Sequence, residues 1–212
     1  MFVNQRLLTD HLKANITMYL FMTSLLITGI VFGAIIVNSM SFVQKQDLFF
    51  HINQFFNQIH DGEPIVSIDL FKKSYAFHIQ YIILLSLLGL TIIGMPLIWL
   101  LIFLKGLVIG FSVGFIVNQL GLQGLLLATF SIAPQNVIII PVYIIAASIA
   151  NLFSLLLFQK IFARSSSQSV VQPFMQYVIT FVVLIIAALF GSLIETFVSY
   201  EAIKISVNSL FS

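Results

Sequence analysis

Long apolar runs separated by short polar clusters set the plan of this chain. A polar stretch over 1–16, with Arg6, Asp10, His11 and Lys13, precedes a charge-free apolar run over 17–37. At a rise of 1.5 Å per residue, about 20 residues cross a hydrocarbon core of about 30 Å, so this run predicts a first transmembrane helix. It is too long for the apolar core of a cleaved signal peptide, and no small-residue cleavage site follows it, so it reads as an uncleaved signal anchor. Residues 38–76 form the one sizeable polar loop. Within it, Val43, Leu48, Phe49, Ile52, Phe55, Phe56 and Ile59 recur at helical spacing, while Gln44, Lys45, Asn53, Gln54, Asn57 and Gln58 take the other side. That pattern predicts an amphipathic helix on the membrane surface or against the bundle, ended by Asp61-Gly62 and Pro64. Ser67 is placed to cap the next helix, with Asp69 in its first turn and Lys72, Lys73 and Ser74 following.

The apolar stretch over 79–118 is too long for one span and holds no polar loop, so Gly94-Met95-Pro96 is taken as its break, giving spans at about 77–98 and 101–120. Residues 119–134 are apolar but interrupted by Gly121, Gly124 and Pro134. They are short for a span and predict a re-entrant or interfacial segment packed on protein. A span over 135–158 with Pro141 inside it, a hydrophilic turn over 159–172, and a span over 174–194 with Pro173 in its first turn complete the bundle. The tail from Glu195 places Tyr200, Ile203, Val207 and Leu210 on one face, as a short surface helix would. The expected fold is all-α: a single integral membrane domain over 1–212, a polytopic bundle of about five transmembrane helices.

Composition agrees. The chain is 60% hydrophobic and 8% charged, against about a quarter charged in soluble domains. A net charge of +2 is too small and dispersed for a nucleic-acid partner, so lipid is the expected surrounding. Cysteine is absent, which excludes disulfides, thiol catalysis and thiolate-bound metals. The turn over 159–172 has two bases and no acid, and Arg6 and Lys13 precede the first span. By the positive-inside rule these sites are cytoplasmic, which puts the N-terminus in, the 38–76 loop outside and the C-terminus out.

Three features bear on chemistry. Gly106, Gly110 and Gly114 recur every fourth residue, so one helix face has no side chains and admits a close neighbour, either within the chain or in a homo-oligomer. Lys105 beside them is read either as a functional buried cation, a counter-ion for an anionic substrate or a partner of Glu195, or as a snorkelling residue near a cytoplasmic turn. The predicted topology puts Glu195 at the opposite interface and disfavours that pair. Gln135 and Asn136 after Pro134 are placed to satisfy backbone groups freed by the proline, or to touch a ligand. His11, His51, His60 and His78 lack metal-ligand spacing and are expected on the surface. No nucleophile–base spacing, paired intramembrane aspartates or HExxH occurs, so no catalytic, cofactor-binding or metal-binding residue is expected.

Several blocks carry a resemblance: GIVFGAIIVNS (29–39), DLFKKSY (69–75), FLKGLVIGFSVGFIVNQLGLQG (103–124) and SIAPQN (131–136). With the layout and Glu195 after the last span, they resemble stage II sporulation protein M of endospore-forming Firmicutes over almost the whole chain. The resemblance implies a noncatalytic scaffold in the mother-cell septal and engulfing membrane, without cofactor. Such a scaffold recruits the peptidoglycan-degrading stage II sporulation proteins P and D for septal thinning and engulfment. The outward loop then offers Lys45, Asn53, Asn57, Lys72 and Lys73 as a partner surface. The competing class is a small transporter or permease-like subunit, for which broken helices, glycine faces and a membrane lysine also speak.

Overall fold

The computed structural model describes residues 13–60, 67–162 and 171–199, leaving out the side chains of 55–60, 67, 198 and 199. Its described residues form helices and their connections, without strands: α1 (Ile16–Ser39), α2 (Phe42–His60), α3 (Ser67–Gly89), α4 (Gly94–Ser131), α5 (Ala133–Phe162) and α6 (Val171–Ile194), followed by a π-helical turn at Glu195–Ser199. Among the described residues, four segments are long and apolar enough to cross a membrane: α1, α4, α5 and Val171–Phe197. The chain is an all-α, multi-pass membrane protein. The described part of α3 opens with Asp69, Lys72 and Lys73 and turns apolar only after its first turns.

The break between α3 and α4 falls at 90–93, earlier than the predicted one. Pro96 does not interrupt a helix. It lies in the first turn of α4, where a missing N–H leaves no hydrogen bond unmade. Gly94 makes the turn: a Cβ there would stand 1.8 Å from the Leu88 carbonyl oxygen. The second bend is at Gly121, with φ 59°, a conformation that side chains disfavour. The segment over 122–131 is a helical leg folded back on the first leg of α4. A Cβ on Gly124 would meet the Ile116 carbonyl oxygen at 2.3 Å, and Leu127 packs with Ile116, Leu120 and Ile52 of α2.

The core gathers where α1, α3, α4 and α6 close around α5. Tyr143, Met22, Ile82, Leu85, Ile98, Ile102 and Ile139 are almost fully buried. Ala146, Ala147 and Ala150 give α5 a narrow side that lets its neighbours approach. The outer faces of α1 and α6, with Leu20, Ile27, Val31, Ile179 and Val183 exposed, suit lipid.

α1 and α4 run parallel and share a seam of glycines. A Cβ on Gly106 would stand 2.2 Å from the Leu26 carbonyl oxygen, and one on Gly110 would stand 2.0 Å from that of Ile30. Conversely, Gly29 and Gly33 of α1 lie against the carbonyls of Phe103 and Leu107. The glycine stripe therefore meets a second glycine stripe in the same chain.

α3 is antiparallel to α4. At one end of the bundle, Tyr177 near the start of α6 donates to the Ser86 carbonyl of α3 at 2.6 Å, and Ser154 late in α5 donates to the Thr91 carbonyl at 2.6 Å. At the opposite end, the beginnings of α3 and α5 meet the end of α6. The candidate functional site forms there.

Candidate functional site

Polar residues from three helices converge at this second end. Ser74 and His78 sit one turn apart on α3, so both side chains leave the same face. Each bonds one oxygen of Glu195, at the junction between α6 and its π-helical turn: the Ser74 hydroxyl donates to Oε2, and His78 Nε2 lies 3.2 Å from the same atom. His78 Nδ1 is 2.6 Å from the Tyr143 hydroxyl of α5. One assignment satisfies every group: Tyr143 donates to Nδ1, and Nε2–H donates to the carboxylate. Gln135, at the start of α5, places its amide 3.1 and 3.2 Å from the two Glu195 oxygens; only its nitrogen can bond two acceptors, so it donates. Buried Ser74, His78 and Tyr143 and the half-buried Glu195 carboxylate form a connected network tying α3, α5 and α6 together. A half-satisfied network would cost stability, and here each acceptor has a donor.

Beside this network lies a cavity of about 390 Å³. Lys105 stands in its wall, reached from α4. Its ammonium lies 4.9 Å from the ring centroids of Phe77 and Tyr143 and 5.6 Å from that of Tyr81, inside the range at which aromatic faces attract a cation. Tyr81 is held by a 2.8 Å hydrogen bond to the Leu101 carbonyl, which fixes one wall of this cage. Lys73, Ser112, Gln135, Asn136 and Glu195 also line the cavity.

The structure changes several expectations from sequence. Lys105 is not at a helix end: it lies eleven residues into α4, about 16 Å along the axis, because the break precedes Gly94. Glu195 and Lys105 share one cavity instead of lying at opposite interfaces, although no ion pair within 4 Å joins them among the described residues. His78 is buried, not a surface residue. Of the amide pair, Asn136 donates to the Ile132 carbonyl at 2.7 Å, while Gln135 turns to Glu195.

The residues singled out for a partner surface lie at the same end. Lys72 and Lys73 are exposed beside Ser74, and Lys73 reaches the cavity rim; Lys45 and Asn53 are half-buried on α2. The Asn57 side chain falls outside the described residues, as do those of Phe55, Phe56, Ile59 and His60, together with His11, residues 163–170 of the polar turn and the tail from Tyr200. Ser74, His78 and Tyr143 were missed as site residues. The available signal was the Ser74/His78 spacing on a helix that turns apolar, joined to an acid closing an apolar span.

A family model described as Stage II sporulation protein M matches residues 22–200. No curated protein and no solved structure matches the chain.

Proposed function

The chain belongs to the stage II sporulation protein M family, a sporulation-related membrane protein family, and on that premise we propose that it is a noncatalytic scaffold. It sits in the mother-cell septal and engulfing membrane, N-terminus in the cytoplasm and C-terminus outside. There it recruits the peptidoglycan-degrading stage II sporulation proteins P and D for septal thinning and engulfment. One observation carries this reading: α2 and the exposed Lys72 and Lys73 of α3 lie at the end that holds the polar network. α2 leans on the bundle around Ile52, and Phe42, Val43 and Phe50 remain 74%, 71% and 60% exposed. An amphipathic helix so placed, followed by the exposed pair Lys72 and Lys73, offers an apolar and basic surface to a soluble partner.

The polar network supports a positioning role. Ser74 and His78 both bond the Glu195 carboxylate, so the histidine does not stand between the hydroxyl and the acid, and the order differs from that of a nucleophile activated by histidine. What the network does is pin the opening of α3, next to Lys72 and Lys73, to α5 and α6.

The test is co-purification of proteins P and D from sporulating cells with full-length chains carrying Lys45→Glu, Asn53→Asp, Asn57→Asp, Lys72→Glu or Lys73→Glu. Weakened recruitment at normal accumulation is expected. Undiminished recruitment by every variant would overturn the docking surface. The lysine-bearing cavity favours a second reading, a transporter-like subunit. Partner-free solute flux through the purified protein in liposomes would establish that reading.

A further inference from the structure

We propose that the cavity between α3, α4 and α5 is a binding site for an oxyanion, a phosphate or carboxylate group, held by Lys105. This goes beyond scaffolding and does not depend on it.

Charge accounting points to an anion. Glu195 already accepts from Ser74, His78 and Gln135, so its charge is spread over donors on its own side of the cavity. Lys105 differs. Its ammonium has three N–H donors, and no described hydrogen bond or ion pair engages them. Three aromatic rings attract the charge but accept little hydrogen bonding. A cation about 16 Å into a membrane helix is costly unless paired, and residues of this kind mark ligand sites.

The rest of the lining fits the same ligand. The exposed Lys73 adds a second positive charge, and Ser112 and Asn136 add polar groups to the lining. Lys105 and Lys73 outweigh Glu195, so the cavity attracts an anion. Phe77 and Val108, each 57% exposed, flank the space on its apolar side. The oxyanion therefore has two sources: the headgroup of an anionic lipid entering with its tail along Phe77 and Val108, or a free anion entering past Lys73.

Native mass spectrometry of the full-length protein tests this in three preparations: phosphatidylcholine nanodiscs, the same nanodiscs with added phosphatidylglycerol, and phosphatidylcholine nanodiscs with inorganic phosphate. The expected result is retention of phosphatidylglycerol or phosphate above phosphatidylcholine, weakened about tenfold or more by Lys105→Met, since charge-assisted hydrogen bonds are lost. Lys105→Arg should retain most of the binding, and Lys160→Met, at the far end of α5, should retain all of it. Ser112→Leu, two turns along α4 from Lys105 on the same face, puts bulk into the cavity while leaving the rings of Phe77, Tyr81 and Tyr143 in place. It should also abolish retention, and it serves as the readout if Lys105→Met does not accumulate. Phosphatidylglycerol retained while phosphate is not assigns the lipid source; retention of phosphate itself assigns the free anion. No retention of either probe above phosphatidylcholine, or retention unchanged by both Lys105→Met and Ser112→Leu, would overturn the site.

Discussion

The α1–α4 seam and the α3–α5–α6 network hold the same bundle by opposite means. In the seam the glycines of each helix lie against the backbone carbonyls of the other, so close that an added Cβ at Gly29, Gly33, Gly106 or Gly110 would lie 2.0–2.2 Å from a carbonyl oxygen. In lipid, where apolar surface gives no hydrophobic drive between helices, such contact supplies dispersion along the whole interface. In the network the helices are tied at a few points by hydrogen bonds to one carboxylate. The seam has no room for a side chain at Gly106 or Gly110, whereas the network is weakened by the loss of a partner. Sterics therefore secure assembly along α1 and α4, and polar satisfaction fixes the geometry of the end that carries function.

That contrast orders the expected effects. Gly110→Leu should be the most damaging single change. Its side chain must displace the Ile30 backbone, 2.0 Å from the nearest Cβ position, at a cost of about 3 kcal/mol or more, read as loss of accumulation and of the folded fraction in mixed micelles titrated with denaturing detergent. Gly110→Leu accumulating and unfolding like the wild type would break the steric half of the comparison. Glu195→Gln comes next. It removes the charge from the hydrogen bonds made by Ser74, His78 and Gln135, and about 2 kcal/mol should be lost in the same titration, with most of the protein still folded. Tyr177→Phe, which deletes the bond to the Ser86 carbonyl at the other end of the bundle, should cost about 1 kcal/mol. Gly114→Ala sharpens the seam from within. Its nearest neighbour, Ala34 Cα, would be 3.1 Å away, so a small shift accommodates the methyl and the loss should be under about 1 kcal/mol. A Gly114→Ala loss equal to that of Gly110→Leu would mean that distance to backbone does not set the damage.

Much of the fold was legible because lipid imposes a strong constraint: apolar runs of sufficient length must be helices. The amphipathic pattern after residue 41 gave α2, and the glycine spacing after Lys105 gave one half of the seam. The other half, Gly29 and Gly33, lay in the first span with the same four-residue spacing and was not paired with it, because pairing is a tertiary fact. The break falls earlier than the Gly94-Met95-Pro96 pattern predicts because proline is neutral in the first turn of a helix and Gly94 makes the turn. That shift moved Lys105 from a predicted interface into the helix interior and brought it to the cavity of Glu195. The network itself was hidden for a related reason: Ser74, Gln135, Tyr143 and Glu195 are far apart in sequence and meet only once α3, α5 and α6 are packed.

The proposed scaffold role rests on the network holding the opening of α3, and with it Lys72 and Lys73, in the geometry a partner reads. The most direct measurement is the amount of proteins P and D co-purified from sporulating cells with Glu195→Gln, compared at matched protein amounts with the wild type and with Tyr177→Phe. Recruitment should fall several-fold for Glu195→Gln and stay near wild type for Tyr177→Phe, whose lost bond lies at the other end of the bundle. Full recruitment by Glu195→Gln, or an equal loss in both variants, would contradict it.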